Sequence, residues 1–287
     1  MDNILHLYQD LKNKTYTHGG YHAFNISDPK PRNIHKASVK DRLLHHAIYR
    51  VLYLYFDPKF IHDSYSCRLN KGTHKALDRF QYFTNQVSKN NSKQCWILKC
   101  DIRKFFATID HRSLQYIVSN YIEDKDINRL ISEIINSFHT LPSKGLPLGN
   151  LTSQLLVNIY MNEFDQFIKH SLKLKYYLRY ADDFVFLSNN KQELKNILPY
   201  IDSFLNQEMK LSLHPNKVFL KTLSSGLDFL GWVHFPCYRV LRTVTKRRML
   251  RNLSHNPSKI LLISYLGLLK WGNTYKIEKH VNAIISG

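Results

Sequence analysis

Apolar positions recur along this chain with two different periods, and the alternation between them outlines the fold. From Val39 to Phe56, the residues Leu43, Leu44, Ala47, Ile48, Val51, Leu52 and Tyr55 follow the spacing of a long amphipathic helix. The same spacing predicts a short helix over residues 2–12, helices between 113 and 139, and one helix carrying Leu155, Leu156, Ile159, Tyr160, Phe164, Phe167 and Ile168 on a single face. A further helix runs through Leu194, Ile197, Leu198, Ile201, Phe204 and Leu205, and another starts near Thr73. Shorter runs break that period. Trp96-Ile97-Leu98-Lys99-Cys100-Asp101-Ile102 reads as a buried strand, while Tyr176-Tyr177-Leu178-Arg179 and Phe184-Val185-Phe186-Leu187 flank a two-residue loop as an antiparallel hairpin. A basic hairpin is expected where residues 21–26 and 32–36 flank Ser27-Asp28-Pro29-Lys30-Pro31, whose prolines and Asp mark a turn. Phe229-Leu230-Gly231-Trp232-Val233-His234-Phe235 reads as one strand with a glycine kink, and Asn150 stands where it can cap the helix after a Gly/Pro-punctuated loop. Helices interspersed with antiparallel hairpins predict an α+β fold.

Candidate chemistry sits at the tip of the second hairpin, Tyr180-Ala181-Asp182-Asp183. Ala-Asp is poor turn chemistry compared with Asn-Gly, so it carries a local cost that other parts of the fold must offset. Adjacent carboxylates beside an apolar run repel each other and are driven toward protonation unless a cation neutralises them, and Mg²⁺ is the natural cation for bare carboxylate oxygens. Asp101, at the end of its strand, supplies a second acidic strand end; alone it would read equally as a helix cap or turn residue. Carboxylates from different strands converging on two metals form the layout needed for in-line nucleotidyl transfer.

The charge balance then narrows the partner. A formal charge of +19 over 287 residues points to a polyanion, either nucleic acid or an anionic membrane surface. No apolar run approaches the ~18 residues of a spanning helix, and the first residues lack the pattern of a secretion signal. The four cysteines show no paired spacing, which fits a reduced, cytoplasmic setting, and the fifteen histidines show no metal signature; His45-His46 reads as helix surface. Between Glu208 and Glu278 the only acidic residue is Asp228, whereas Arg239, Arg242, Lys246, Arg247, Arg248, Arg251, Lys259, Lys270 and Lys276 share the later part. One-sign clustering of this kind reads as a surface that tracks phosphates.

These motifs resemble a known family. Tyr180-Ala181-Asp182-Asp183 is similar to the Y-x-D-D motif of reverse transcriptases, and Asp101-Ile102-Arg103-Lys104-Phe105-Phe106 to their first catalytic motif. Gly145-Leu146-Pro147-Leu148-Gly149-Asn150-Leu151-Thr152-Ser153-Gln154 lies between them and Phe229-Leu230-Gly231-Trp232 follows, in the family's order. The Gly-Asn-x-Thr-Ser-Gln form resembles the reverse transcriptases of diversity-generating retroelements, and the resemblance runs from about residue 30 to about 275.

The resemblance implies a right-hand polymerase: an N-terminal helix and fingers over 1–95, a palm with an antiparallel sheet over 96–235, and a helical thumb over 236–287. It implies RNA-directed DNA synthesis with two Mg²⁺ ions at Asp101, Ile102, Asp182 and Asp183, and Lys217 as acid for the leaving pyrophosphate; alternation along a strand points Asp183 the opposite way from Asp182 and makes it secondary. Lys30 and Arg32 would reach the triphosphate, unless they are simply a solvated basic loop. Phe106 would exclude a ribose 2′-hydroxyl while Phe105 is core, and Leu148, Gly149, Ser153 and Gln154 would border the nascent base pair, the alternative being an ordinary capped helix with Leu148 as packing. Arg68 and Lys71 would line the template or nucleotide path, Gly231 and Trp232 would grip the primer, and Arg239, Arg242, Lys246, Arg247, Arg248 and Arg251 would hold the duplex.

Expected partners are a template RNA, the cDNA or primer duplex, deoxynucleotides and a small basic oligomeric accessory protein, with no membrane and with RNA removal and integration left to other factors. Two alternatives stay open: a reverse transcriptase of another prokaryotic element, retron-like or in phage defence, and a non-catalytic RNA-binding protein on the same fold.

Overall fold

A computed structural model of the chain describes residues 2–27, 30–255 and 258–286. In chain order the elements are α1 (Asp2–Lys12), β1 (Tyr21–Ile26), β2 (Arg32–Ala37), α2 (Val39–Phe56), α3 (Thr73–Ser88), β3 (Trp96–Asp101), α4 (Phe105–Thr108), α5 (His111–Tyr121) and α6 (Lys125–Asn136). They continue with α7 (Leu151–Gln166), β4 (Tyr177–Tyr180), β5 (Asp183–Ser188), α8 (Lys191–Gln207), β6 (Phe219–Thr222), β7 (Leu227–Phe229), β8 (Trp232–His234), β9 (Arg239–Leu241), α9 (Thr243–His255), α10 (Lys259–Leu269) and α11 (Tyr275–Ser286). The fold is α+β. Every helix and strand that the two periodicities predict up to residue 207 is present, while Asp28 and Pro29 of the first turn lie outside the described residues.

The centre is a four-stranded antiparallel sheet in the order β4-β5-β3-β6. Both of its faces are covered, which explains why its strands read as near-continuous apolar runs. Side chains alternate along a strand, so Leu98, Cys100, Tyr177, Phe184 and Phe186 pack with Leu155, Ile159 and Phe164 of α7, whereas Ile97, Leu178, Val185 and Leu187 meet Ala76, Phe80 and Phe83 of α3. A third cluster joins Trp232 and Leu241 to Met249, Leu253 and Leu269 of the C-terminal helices. β1 and β2 form a separate antiparallel hairpin, and β7-β8-β9 a separate three-stranded sheet.

Three expectations change. The segment 229–235 is a hairpin rather than a kinked strand: Phe229 pairs with Trp232 around Leu230 (φ +51°) and Gly231 (φ +88°), and two consecutive positive φ angles make the tight turn that matches strand twist. Asn150 occupies the N-cap position of α7 without capping it through its side chain. Its amide instead donates to the His35 carbonyl at 2.7 Å and accepts from the Ala37 amide at 3.4 Å, clamping β2. His45 is not surface but buried, with its ring 3.1 Å from that of His18. Among the described residues no helix is long and apolar enough to cross a membrane.

Candidate active site

The turn between β4 and β5 carries the candidate carboxylates, and its poor loop chemistry is visible in the backbone. Ala181 sits at φ +56°, a region that costs an L-residue roughly 1–2 kcal/mol. Both carbonyls of the loop are fixed. Ala181 O accepts from Arg179 Nη1 at 3.2 Å, and Asp182 O accepts from the Ile102 amide at 3.1 Å. Arg179 is itself fully buried: Nε and Nη2 donate to the two oxygens of Asp165 at 2.8 and 2.7 Å, and further bonds reach Asn158 Oδ1 and Ser64 Oγ. Tyr177 adds a hydroxyl to Asp165 at 2.7 Å. This network supplies the offset that the turn needs.

Three carboxylates converge at this tip. Asp101 and Asp183 are direct cross-strand partners on β3 and β5, so their side chains leave the same face of the sheet and both line one groove. Asp183 therefore faces Asp101 across the pairing of β3 with β5. Burial, and then the charge of Asp101, push the Asp182 carboxyl above the usual range, with a backbone hydrogen bond, Lys217 and Arg32 opposing. Burial pushes Asp183 up to about 6 against the pull of Lys99, with Asp101 and Asp182 adding to the rise. Two lysines offset the negative charge: Lys217 Nζ lies 3.0 Å from both oxygens of Asp101, and Lys99 Nζ 3.0 Å from Asp183 Oδ2.

This donor set fits a divalent cation. Like-charged carboxylates are held together against their own repulsion, and Asp183 Oδ1 is buried without a hydrogen-bond partner. Asp101, Asp182 and Asp183 would be the ligands. Among the described residues no pre-assembled cage of three or more such side chains exists, so remaining ligands would come from backbone, solvent or substrate oxygens. Ile102, grouped with the ligands by sequence, is 1% exposed and touches the site through its backbone.

Around the carboxylates, Lys30 lines the groove with Asp101, Asp183 and Lys217, and the charge of Arg32 is felt at Asp182. Phe105 is buried, and Phe106 stands edge-on to it, half-buried. Leu148 is half-buried and Gly149 exposed, Ser153 is buried and Gln154 half-buried. The Leu148 carbonyl accepts from the His35 amide at 2.9 Å, and Gly149, at φ +101°, lies so close to Ile34 that a Cβ would meet its Cγ2 at 2.6 Å. The loop and the first hairpin are thus in direct contact.

The other candidates divide. Arg68 is not available to a ligand: Nε binds Asp57 at 2.7 Å and its other nitrogens donate to the carbonyls of Ile61, Ser64 and Asp57. Lys71 donates to His62 O at 2.8 Å. Trp232 is 2% exposed and packs under the C-terminal helices, where a Cβ on Gly272 would strike its ring; the turn at Gly231 is what faces outward. Arg239 donates to Trp271 O, and Arg242 Nε binds Asp228 at 2.8 Å. Lys246, Arg247 and Arg251 of α9 are exposed, while Arg248 is half-buried.

Sequence reasoning missed Lys99, Arg179 and the clamp made by Asn150. Lys99 carried a signal: a lysine inside an apolar strand, two residues before Asp101 and so on its face.

The chain matches the family described as reverse transcriptase (RNA-dependent DNA polymerase) over residues 26–234. It is 24% identical over 271 residues to the protein YkfC of Escherichia coli (strain K12), covering 81% of this chain and 69% of that one. To the group II intron-encoded protein LtrA of Lactococcus lactis subsp. cremoris it is 22% identical over 303 residues, covering 80% of this chain and 49% of LtrA. Its fold resembles the structure of apo telomerase from Candida tropicalis, with a TM-score of 0.58 at 13% identity, covering 77% of this chain and 48% of the telomerase. The chain therefore spans about half the length of the intron-encoded relative and of the telomerase.

Proposed function

Because this chain belongs to the reverse transcriptase family, we propose that it is an RNA-directed DNA polymerase which transfers deoxynucleotides to a primer 3′-hydroxyl and releases pyrophosphate. The observation that carries the reading is the pairing of Asp101 with Asp183 on one groove lined by Lys30, Lys99 and Lys217, with Asp182 close enough for its carboxyl to feel the charge of Asp101. Two Mg²⁺ ions held by these carboxylates would supply charge neutralisation at the triphosphate and a lowered pKa at the primer hydroxyl. The chain's own residues do the rest. Lys30 and Arg32 draw in the triphosphate, Lys217 is held within 3.0 Å of Asp101 where it can protonate the leaving pyrophosphate, and the exposed Lys246, Arg247 and Arg251 follow duplex phosphates without reading sequence. Fingers over 1–95, palm over 96–235 and thumb over 236–287 are the division we assign, in a protein of the cytoplasm.

Phe106 follows Asp101 by five residues and stands edge-on to the buried Phe105, and we assign it the exclusion of the ribose 2′-hydroxyl. Phe106→Val is expected to raise ribonucleotide over deoxynucleotide incorporation by about 10-fold, equivalent to ~1.4 kcal/mol of lost steric discrimination. Competition assays with both nucleotides measure that ratio, and an unchanged ratio returns Phe106 to the core.

The diversity-generating subtype rests on the Gly149-to-Gln154 block and on Leu148. An apolar side chain there offers no hydrogen bond to a nucleotide, and a tenfold loss of discrimination needs only ~1.4 kcal/mol, comparable to one hydrogen bond. The test is to extend a primer on RNA and sequence the cDNA. Errors are expected to concentrate opposite template adenines, to fall in Leu148→Gln, and to depend for correct priming on a structured template RNA and a small basic accessory protein. Uniformly low errors would favour the second reading, a reverse transcriptase of another mobile or defence element, which the likeness to the intron-encoded relative supports.

A further inference from the structure

Lys99 is the one cation on β3 that shares a face with Asp101, and its strand neighbours Ile97, Leu98 and Cys100 are buried. Its side chain is 12% exposed, so the ammonium depends on protein acceptors more than on water. It has two. Nζ lies 3.0 Å from Asp183 Oδ2 and donates to the backbone carbonyl of Asp228 at 2.8 Å, with the Phe229 ring centroid 5.5 Å away.

Those acceptors belong to different sheets. Asp183 is on β5 of the central sheet, whereas Asp228 and Phe229 are on β7 of the three-stranded one, and among the described residues no strand pairing joins the two. The hairpin that follows, with its turn at Leu230-Gly231, is also held by Arg242, whose Nε binds the Asp228 carboxylate at 2.8 Å and whose amide donates to Gly231 O at 3.1 Å. Leu227 and Phe229 share an apolar cluster with Ile97 and Val185 of the central sheet, and among the described hydrogen bonds the polar link between the carboxylate sheet and this hairpin runs through the Lys99 ammonium. Lysine suits the position, because a compact charge with three donors can serve a carboxylate and a carbonyl that are not coplanar.

We propose that Lys99 is a positioning residue that sets the distance between Asp183 and the β7–β8 hairpin, and so fixes where a primer end held by that hairpin meets the carboxylates. The inference rests on the polymerase reading of the site. Its role is distinct from that of Lys217, which contacts Asp101 and no residue of β7 or β8 among the described hydrogen bonds.

The test compares wild type, Lys99→Met and Lys99→Arg on one RNA template and DNA primer carrying 2-aminopurine either at the primer 3′ end or within the duplex. In Lys99→Met the duplex Kd is expected to stay within about 2-fold while the single-turnover extension rate falls by about 10-fold or more, the pattern of a lost transition-state alignment rather than lost binding. Fluorescence of the 3′-terminal probe should rise and that of the internal probe should not. Lys99→Arg, which retains charge and several donors, should recover part of the rate and of the terminal signal. Wild-type rate and terminal fluorescence in Lys99→Met would overturn the proposal. So would a loss in both variants that only tracks the folded fraction measured by thermal unfolding. If wild type itself extends no primer, the polymerase reading fails instead, and the fluorescence comparison, which needs no catalysis, still decides the role of Lys99.

Discussion

Primer extension is expected to fall by more than about 1,000-fold in Asp101→Asn and in Asp182→Asn, which is ~4 kcal/mol of transition-state stabilisation lost from each. Each substitution preserves volume but removes one negative charge from the cluster that would hold the metal ions. The effect on stability should be small and of opposite character. Asp182 is a carboxylate that burial and Asp101 disfavour in its charged form, so the neutral amide relieves repulsion and the melting temperature should not drop. Asp101→Asn frees Lys217, which is 42% exposed and returns to water at little cost. Steady-state extension with purified variants, alongside thermal unfolding, measures both quantities. Extension by either variant within about 10-fold of wild type would sink the assignment of the carboxylates.

The largest expected loss of stability lies one residue before the motif. Arg179→Met leaves Asp165 charged and 0% exposed, with Tyr177, Asn158 and Ser64 as the remaining polar neighbours of the network, and breaking one side of such a buried pair costs ~3–5 kcal/mol. Removing both charges together, as Arg179→Met with Asp165→Leu, should restore most of that stability, because apolar replacements of similar volume often equal a buried pair. The double variant should nevertheless extend primers poorly, since Ala181 at φ +56° has lost the donor to its carbonyl and the Asp182 turn is free to relax. Denaturant midpoints report the stability and extension rates the turn. A single variant within ~1 kcal/mol of wild type would show that the pair is not the structural keystone of this turn.

Much of this was legible from residue order, and the parts that were not share a cause. Periodicity located the strand ending at Asp101, the hairpin at Asp182 and the long helices because those signals are local. The cost of Ala-Asp in the turn was also readable, but its remedy was not: Arg179 works with Ser64, 115 positions away, and no window of sequence displays that. The neighbourhood of Asn150 looks like that of a helix cap, yet its amide serves a strand 115 residues earlier. Gly231 looks like a kink in the sequence because a single glycine does not reveal that Leu230 before it also adopts positive φ. The motifs point Arg68 and Trp232 toward nucleic acid, whereas burial gives both to the scaffold. In each case pairing across the chain, rather than local preference, decided the outcome.

The contact between Gly149 and Ile34, with the bonds from the His35 amide to Leu148 O and from Asn150 to His35 O, has a mechanical meaning. The β1–β2 hairpin cannot swing by itself. Any movement of it either drags the 148–150 loop along or breaks hydrogen bonds worth roughly 1 kcal/mol each. The hairpin that carries Arg32 and the loop that carries Leu148 are therefore geared to one another; on the polymerase reading proposed above, a misfitting base pair that displaces the loop would also work against closure of the hairpin. Under that reading, judging a nucleotide and clamping down on it would be two ends of one lever.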